Sequence, residues 1–354
     1  MKTIAVLGTG ATGCTIAADN ILRGNIVRLW EDAHRWNENI ADIEEKGGIE
    51  IAGNAVTGFA KVDKIYKNMA GAVEGAQIIF IAALASRHAD IFNELAPLLL
   101  PGQTVCISAG CASVILLCQM LGDKKGIITG EMSGNVYPCR MDGKAKVIAA
   151  LPYKTKNAAA FPARDTDKFI KNLEGVYECK AVKNILESAL NAPNLSIHLA
   201  GSLLNVCSID KKADFRLYAE GLSENVARVI EAVESEKQKL LSIFGYNCVL
   251  HAPFIRQLMQ YNSFPEFNIF RSLLGPSGMN HRYITEDAAF GQSLFLSLAS
   301  QFNIIVPCSR SLVHLAGAIN NTNYFSSGQT ANKLGMGGMT VEQINRYLDT
   351  GVAG

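Results

Sequence analysis

The first thirteen residues contain the feature that most constrains the fold. The apolar run Thr3–Leu7 ends in Gly8-Thr9-Gly10-Ala11-Thr12-Gly13, which fits G-x-G-x-x-G, and a helical segment, Ala11–Leu22, follows. Gly8 allows a tight turn, Gly10 lets the backbone approach a pyrophosphate, and Gly13 lets the helix pack against the strand. The N–H groups at the helix start then face the phosphates. This strand–turn–helix context predicts that residues 8–13 bind a dinucleotide.

An acidic residue follows the second predicted strand. Ile26–Trp30 is a short apolar run, and Glu31 comes directly after it. A carboxylate at this place can bind the ribose hydroxyls of NAD and repel the 2′-phosphate of NADP. Asp32 is adjacent and can share the role. Arg35 is also nearby and can pair with a 2′-phosphate, so NADP stays an alternative. We therefore predict NAD as the cofactor, with NADP as the alternative, and Glu31 and Asp32 as cofactor-binding residues.

Strands and helices alternate in the first half of the chain, and helices dominate the second. Strand-like runs at 78–82, 104–108 and 126–129 indicate a parallel sheet, and turn residues predict hairpins within 49–62 and 137–150. From about residue 183 strand signals nearly vanish, and residues 223–244 form a long amphipathic pattern. The predicted fold class is α/β, with an N-terminal Rossmann-type parallel sheet in residues 1–182 and a mostly α-helical substrate and catalytic domain in residues 183–354.

Charge and composition narrow the range of partners. The 354 residues include 33 basic and 32 acidic side chains, for a net charge of +1, so no electrostatic feature favours nucleic acid or a membrane surface. The nine cysteines form no CxxC pair, no histidine spacing suggests a metal site, and no apolar run is long enough to span a bilayer. We expect a cytoplasmic protein that acts on small molecules without a metal ion, with a homodimer left open.

The six histidines are the candidates for acid–base chemistry, and their spacing alone does not select one. A nicotinamide enzyme that reduces C=O or C=N needs a proton donor beside the hydride acceptor, and imidazole titrates in a suitable range. Two segments narrow the choice. Residues 191–210 place His198 near a predicted helix start, and residues 280–292 contain Arg282, whose planar guanidinium can bind a substrate carboxylate.

Segments along nearly the whole chain resemble the opine dehydrogenase family, of the octopine/nopaline dehydrogenase type. Besides the GTGATG turn they are SRHADIFNELAPLLLPGQTVCISAG (86–110), NVYPCR (135–140), NAPNLSIH with LLNV (191–206), YAEGLSENVARVIEAVESEK (218–237), NHRYITED (280–287) and GQTANKLGMGGMT (328–340). The NHRYITED segment is the most specific of them. The chain departs from the family pattern at Leu199, after the histidine, and at Ala288-Ala289, where the family usually has proline.

The resemblance implies an enzyme that couples the amino group of an amino acid to a 2-oxo acid, commonly pyruvate, and reduces the imine with NAD(P)H. It implies that His198 is the general acid/base, that Asp287 orients it, and that Arg282 binds a substrate carboxylate in a cleft between the domains. It also makes Asn205 a candidate substrate contact and Gly110 a candidate cofactor contact. Glu131 matches a family position whose role is left open.

Two other hypotheses remain. One is a different Rossmann-type reductase with a helical second domain, of the ketopantoate reductase or 3-hydroxyacid dehydrogenase type, in which the acid/base is often a lysine or another histidine. The lysines of the EKQK stretch (236–239) are expected on a solvated helix face, which argues against that role. The other is a nucleotide-binding protein without turnover, because one fold hosts many functions. Amine-dependent oxidation of NADH distinguishes the first hypothesis from both.

Overall fold

A computed structural model describes residues 1–35, 38–122 and 124–352 of the chain. The chain divides into two units, residues 1–188 and residues 189–354.

The first unit contains all the strands of the described residues. They are β1 (Thr3–Leu7), β2 (Ile26–Trp30), β3 (Gly48–Gly53), β4 (Gly58–Lys61), β5 (Ile65–Tyr66), β6 (Ile78–Ile81), β7 (Thr104–Ser108), β8 (Ile128–Met132), β9 (Cys139–Met141), β10 (Lys146–Ala149), β11 (Lys156–Ala160) and β12 (Cys179–Ala181). The helices between them are α1 (Ala11–Leu22), α2 (Glu38–Lys46), α3 (Met69–Val73), α4 (His88–Leu98), α5 (Val114–Leu121) and α6 (Thr166–Leu173). Helix α7 (Ile185–Leu190) runs across the division between the units.

The main sheet has eight strands in the order β12-β11-β8-β7-β6-β1-β2-β5. β1 pairs in parallel with β2 on one side and with β6 on the other, so the order of the strands reverses at β1. β1, β6 and β7 are buried along nearly their whole length, as is typical of a parallel sheet covered by helices, whereas β2 is buried only at its carboxyl end. In such sheets ligands bind at the carboxyl ends of the strands beside the reversal. The predicted Rossmann-type sheet is confirmed.

The sheet is not parallel throughout, which the sequence did not reveal. β11 runs antiparallel to β8, and the small second sheet, β4-β3-β10-β9, contains both predicted hairpins joined by the parallel pair β3 and β10. A parallel return to the main sheet needs a long crossover, usually through a helix. Residues 133–155 instead form the β9–β10 hairpin and contain no helix, so the chain re-enters the sheet in the opposite direction.

The second unit is helical, as predicted, and its described residues contain no strand. Its helices are α8 (Asn194–Leu203), α9 (Val206–Lys211), α10 (Leu217–Glu220), α11 (Glu224–Ile243), α12 (Ala252–Leu258), α13 (Asn268–Ser272), α14 (Arg282–Glu286), α15 (Ser293–Gln301), α16 (Pro307–Asn320), α17 (Tyr324–Ser327) and α18 (Val341–Thr350), with a π-helical segment, Asp287–Gln292, between α14 and α15.

Local sequence signals set the ends of two of these helices. The hydroxyl of Ser223 accepts a hydrogen bond from the Val226 N–H at the start of α11, and Gly245, with φ +66°, follows its end. Thr340 and Gln343 form the predicted capping box of α18. The described residues contain neither a helix that could cross a bilayer nor a group of three or more His, Cys, Asp or Glu side chains able to hold a metal ion.

Candidate functional site

The glycine-rich turn connects β1 to α1 at the reversal point of the sheet. Gly8 has φ +119°, and a Cβ there would lie 2.6 Å from the carbonyl oxygen of Ala82, while a Cβ at Gly13 would overlap the carbonyl of Gly8. Gly10 is different, because its φ of −71° suits any residue and a Cβ there would meet no protein atom within 4 Å. Gly8 and Gly13 are therefore required by the fold, whereas the space above Gly10 is open. Such a space, next to the N–H groups of Ala11 and Thr12, fits a bound pyrophosphate.

Glu31 lies beside this turn, and its carboxylate is already engaged. The N–H and the hydroxyl of Thr9 both donate to Oε2, each at 2.9 Å. Oε1 accepts from the Asp32 N–H at 3.2 Å and forms an ion pair with Nη1 of Arg87 at 2.9 Å. Each carboxylate oxygen has two lone pairs, so these four contacts occupy all four acceptor positions of Glu31. A ribose hydroxyl would have to replace one of them, whereas Asp32 is only partly buried.

The loop after β7 is held by hydrogen bonds to the buried carboxylate of Glu131, a role that the sequence did not reveal. Glu131, 1% exposed, accepts hydrogen bonds from the N–H groups of Ala112 (2.8 Å) and Val114 (2.7 Å). Burial raises the pKa of Glu131 to about 7, and the two N–H groups oppose this shift. Gly110, predicted as a cofactor contact, packs on the same group, since a Cβ at residue 110 would overlap the Glu131 carboxyl. Its cofactor role stays a prediction.

His88 supports the same loop from α4. Its Nδ1 lies 2.7 Å from the hydroxyl of Ser113 and its Nε2 lies 3.3 Å from the carbonyl oxygen of Ala83. Burial lowers the pKa of His88 to about 4, so the ring is neutral at physiological pH. A neutral ring satisfies both contacts when Nε2–H donates to Ala83 and Nδ1 accepts from Ser113. His88 is therefore a structural connection between the loops after β6 and β7.

The second unit brings His198 and Asp287 together. Nδ1 of His198, on α8, lies 2.7 Å from Oδ2 of Asp287, and both side chains are buried. Nε2 lies 3.1 Å from the hydroxyl of Tyr218, on α10. The imidazole stacks on the ring of Tyr283 with centroids 3.5 Å apart and planes 13° apart. Hydrogen bonds on both nitrogens and a stacked ring hold the imidazole in one orientation, as acid–base chemistry requires.

Asp287 begins the π-helical segment, at the place where the family pattern is altered. Burial raises the pKa of Asp287 above its usual value, and the charge of Arg282 and a hydrogen bond with Asn194 oppose this shift. Ala288 and Ala289 continue the segment, and the Ala289 carbonyl accepts a hydrogen bond from the N–H of Gln329, in the C-terminal glycine segment. Single π-helical turns occur frequently at functional sites.

The two predicted substrate contacts differ in their surroundings. Arg282 is close enough to Asp287 to influence its pKa, and its guanidinium carbon lies 5.2 Å from the centroid of the Tyr283 ring. Both N–H bonds of the Asn205 amide instead donate to backbone, to the carbonyls of Gly201 (2.8 Å) and Gly221 (2.9 Å). Any substrate contact of Asn205 therefore falls to its Oδ1. The substrate role of both residues stays a prediction.

The expectation that the EKQK lysines lie on a solvated face is wrong for Lys237. Its side chain is fully buried, its ammonium group donates to the carbonyl of Val249 at 2.6 Å, and burial lowers its pKa below the usual value. Lys239 is exposed, as expected. Glu236 is also buried and accepts from the N–H groups of Cys308 and Ser309 at the start of α16. Lys237 and Glu236 thus bind backbone groups outside α11. The i,i+4 spacing of charges along the helix does not reveal such contacts.

Comparisons with known proteins agree with this architecture. The family described as NAD/NADP octopine/nopaline dehydrogenase, alpha-helical domain, matches residues 181–320. Opine dehydrogenase of Arthrobacter sp. (strain 1C) is 26% identical over 98% of this chain and 99% of its own. Octopine dehydrogenase, solved with NADH and L-arginine, superposes with a TM-score of 0.70 at 15% identity over 97% of this chain and 98% of its own. Yersinopine dehydrogenase with NADP⁺ gives 0.67 at 12% identity over 99% and 98%.

The fold and these relatives define the class of the protein, which is an NAD(P)-dependent oxidoreductase with a Rossmann-type sheet and an α-helical second domain. Within this class, residues 181–320 match the helical domain of octopine/nopaline dehydrogenases, and the resemblance to the opine dehydrogenase family predicted from the sequence is confirmed. The typical reaction in that family is the reductive condensation of a keto acid with an amino acid. The hypothesis of a nucleotide-binding protein without turnover is not supported.

Proposed function

We propose that this protein condenses a 2-oxo acid, such as pyruvate, with the amino group of an amino acid and reduces the resulting imine with NADH or NADPH. The observation that carries the proposal is the 2.7 Å contact between Nδ1 of His198 and Oδ2 of Asp287. A buried carboxylate that accepts from one imidazole nitrogen leaves the other nitrogen to exchange a proton. We propose His198 as the general acid/base and Asp287 as the residue that orients it.

Residues 1–182 are proposed to bind the cofactor. The space above Gly10 and the N–H groups at the start of α1 suit a pyrophosphate, and Asp32 is the more accessible of the two carboxylates proposed to bind the ribose. When bound, the reduced nicotinamide supplies the hydride for the imine carbon. A carboxylate that accepts from the ribose 2′-hydroxyl favours NAD, and its negative charge repels the 2′-phosphate of NADP. The contacts of Glu31 and Asp32 with the ribose would therefore decide which of the two cofactors binds.

Residues 183–354 are proposed to bind the substrates. Both the 2-oxo acid and the amino acid carry a carboxylate, so the site requires at least one fixed cation, and Arg282 is proposed for this role because its charge acts on the buried Asp287. His198 would donate a proton to the departing hydroxyl during imine formation and recover one in the reverse direction. A general acid or base of this kind typically contributes about 10²–10⁴-fold to the rate.

The test is the oxidation of NADH with pyruvate alone and with pyruvate plus each member of a panel of amino acids, followed at 340 nm, with mass spectrometry of the product. We expect oxidation that depends on the amino acid and a product with a new C–N bond. Oxidation with the 2-oxo acid alone, unaffected by amino acids, would contradict the proposal and favour the ketopantoate reductase type of reaction. The matched variants are His198→Ala, expected to lose activity, and His314→Ala, in which an exposed histidine of the same unit is removed.

A further inference from the structure

Arg87 is a cation beside the glycine-rich turn that the proposed function does not use. It ends the 3₁₀ turn Ala85–Arg87, which follows β6 at the carboxyl edge of the main sheet. The loop after β6 touches the glycine-rich turn, since a Cβ at Gly8 would lie 2.6 Å from the carbonyl oxygen of Ala82. Arg87 therefore lies on the side of the first unit where the dinucleotide is proposed to bind.

The guanidinium of Arg87 occupies a hydrogen-bond position of Glu31 that a ribose hydroxyl would otherwise use. Its Nη1 lies 2.9 Å from Oε1 of Glu31, and the two side chains are 13% and 6% exposed. In a Rossmann-type sheet, the acidic residue after the second strand accepts from the 2′-hydroxyl of the adenosine ribose. A group bound to this carboxylate is therefore close to the 2′ position of the dinucleotide.

Most of the hydrogen-bonding capacity of Arg87 is available to a ligand. A guanidinium has five N–H donors, and within residues 1–35, 38–122 and 124–352 only Nη1 has an acceptor, which is Glu31. In the same residues, the buried nitrogens without a partner do not include Nε or Nη2 of Arg87. Both atoms are therefore accessible, and a ligand can reach them while the contact with Glu31 persists.

The backbone around Arg87 is held in place. Its N–H donates to the carbonyl of Leu84 at 2.9 Å. The next residue, His88, lies 2.7 Å from the hydroxyl of Ser113 through Nδ1 and 3.3 Å from the carbonyl oxygen of Ala83 through Nε2. With the backbone fixed and the side chain bound to a buried carboxylate, the cation is pre-organised. An anion that binds it therefore loses little affinity to the ordering of the arginine.

The ion pair also changes the charge that a ligand meets after β2. A free carboxylate there repels a 2′-phosphate, whereas the pair of Glu31 and Arg87 has no net charge. Two other carboxylates lie nearby, because burial and the charge of Asp32 raise the pKa of Glu94. Asp32 is partly buried and Glu94 is exposed, so solvent and salt screen their charges. Arg35, on the same turn as Asp32, adds a second exposed positive charge.

We propose that Arg87 binds the 2′-phosphate of NADPH, so that this protein takes the phosphorylated dinucleotide at least as readily as NADH, an inference that rests on the proposed function. Guanidinium and phosphate form charge-assisted hydrogen bonds, and the planar guanidinium can donate two of them side by side. NADH lacks this contact, and its 2′-hydroxyl has to compete with Arg87 for Oε1 of Glu31. The specificity residue thus comes from the loop after β6 and not from the loop after β2, where Arg35 lies.

The first experiment measures the Kd of NADPH and of NADH by fluorescence titration without substrates. The two molecules differ only in the 2′-phosphate. For Arg87→Met we expect the Kd of NADPH to rise by at least about tenfold, and that of NADH to stay unchanged or fall. Arg23→Met is the matched control, because Arg23 also pairs with a carboxylate, that of Asp19 at 2.8 Å, but lies at the end of α1 remote from the glycine-rich turn. Its ratio of the two Kd values should equal that of the unchanged protein.

Three results would overturn the inference. A ratio of the two Kd values that Arg87→Met leaves unchanged would mean that Arg87 does not meet the 2′-phosphate. Equal weakening of NADPH and NADH would place Arg87 against a part that both cofactors share, such as the pyrophosphate. An unchanged protein that binds NADH more than about a hundredfold tighter than NADPH would show that the ion pair does not admit the phosphate.

A double variant covers the case in which Arg87→Met fails to fold because Glu31 is left buried and unpaired. Glu31→Gln with Arg87→Met removes both charges together, and the same rise in the ratio of the Kd values is expected. Calorimetric titration with adenosine 2′,5′-bisphosphate and with 5′-AMP repeats the comparison without the nicotinamide. Loss of Arg87 should weaken binding of the bisphosphate only, and equal effects on both ligands would overturn the inference.

These binding measurements separate the inference from the proposed function. If the Kd ratio depends on Arg87 but no pair of 2-oxo acid and amine supports oxidation of NADPH or NADH, the proposed function is wrong and the 2′-phosphate contact stands. If amine-dependent oxidation occurs and the Kd ratio does not depend on Arg87, the contact is wrong and the proposed function stands. Binding of neither cofactor by the unchanged protein would contradict both.

Discussion

The carboxylate of Asp287 lies 2.7 Å from Nδ1 of His198, although 89 residues separate the two in the chain. Burial raises the pKa of Asp287, and the charge of Arg282 opposes this shift. When Asp287 is ionised it only accepts hydrogen bonds, and the proton of the neutral ring then lies on Nδ1. Nε2 is therefore the nitrogen that gains and loses a proton. The stack on Tyr283 fixes the plane in which this happens.

Replacing Asp287 with Asn should reverse this assignment. The amide N–H would donate to Nδ1 and favour the tautomer of His198 that carries its proton on Nε2. Nε2 would then be a hydrogen-bond donor and could not accept a proton from the substrate. We expect kcat to fall by about 10²–10⁴-fold with NADH affinity unchanged. Steady-state kinetics and NADH fluorescence titration measure the two quantities. Asp210→Asn, at an exposed position of α9, is the control, and equal losses in the two variants would argue against an orienting role for Asp287.

The glycine turn allows folding to be separated from cofactor binding. Gly10→Ala should fold normally, because its backbone is compatible with alanine and the added methyl meets no protein atom, but its NADH affinity should fall by at least tenfold because the methyl occupies the proposed pyrophosphate space. Gly13→Ala should instead lower the melting temperature, since its methyl would overlap the Gly8 carbonyl. Tight NADH binding by Gly10→Ala would place the pyrophosphate elsewhere.

The two carboxylates after β2 should respond differently to substitution. Asp32→Ala is expected to weaken NADH binding and to raise the ratio of NADPH to NADH turnover, because a negative charge near the ribose is removed. Glu31→Gln is expected mainly to destabilise the protein, by about 1–3 kcal/mol, because Arg87 and Thr9 lose a charged partner in a buried place. Cofactor titrations and urea unfolding measure these effects, with the exposed Glu45→Gln as control. The reverse pattern would identify Glu31 as the ribose ligand.

The burial of His88 predicts a pH dependence of stability. In an unfolded chain an imidazole titrates near pH 6.5, and in the folded protein that of His88 titrates at about 4. Between these values the unfolded state binds more protons, so the free energy of unfolding should fall as pH decreases from 6.5 towards 4. At about 1.4 kcal/mol per pH unit the loss approaches roughly 3 kcal/mol.

Urea unfolding at pH 7.0, 6.0 and 5.0 measures this slope. His88→Gln, which keeps a donor and an acceptor, should be less stable than the unchanged protein at pH 7.0 and should lose less on acidification. His34→Gln, at an exposed position, should leave the slope unchanged. If the free energy of unfolding of His88→Gln falls with pH as steeply as that of the unchanged protein, groups other than His88 cause the pH dependence.

Much of the first unit could be predicted because its signals are local. The G-x-G-x-x-G turn, the buried strands beside it and both hairpins depend on residues within a few positions of one another, and short-range sterics and hydrogen bonds decide them. The same holds for the end of α11 and the capping box of α18. β11 was missed because its sequence, KNAAA, has little apolar contrast. Its direction depends on the hairpin that precedes it.

The residues of the candidate site can likewise be separated into those predicted from the sequence and those whose contacts only the tertiary structure shows. The sequence by itself determined the dinucleotide turn, the α/β class and, through resemblance, the pairing of His198 with Asp287. Only the tertiary structure showed that Arg87 pairs with Glu31, that Lys237 is buried, and that the Tyr218 hydroxyl lies 3.1 Å from Nε2 of His198. These contacts join segments between 12 and 56 residues apart, and no periodicity or spacing rule encodes such contacts. Which partner a charge or an imidazole meets is decided by the packing of whole elements, because only packing brings distant side chains within hydrogen-bond distance.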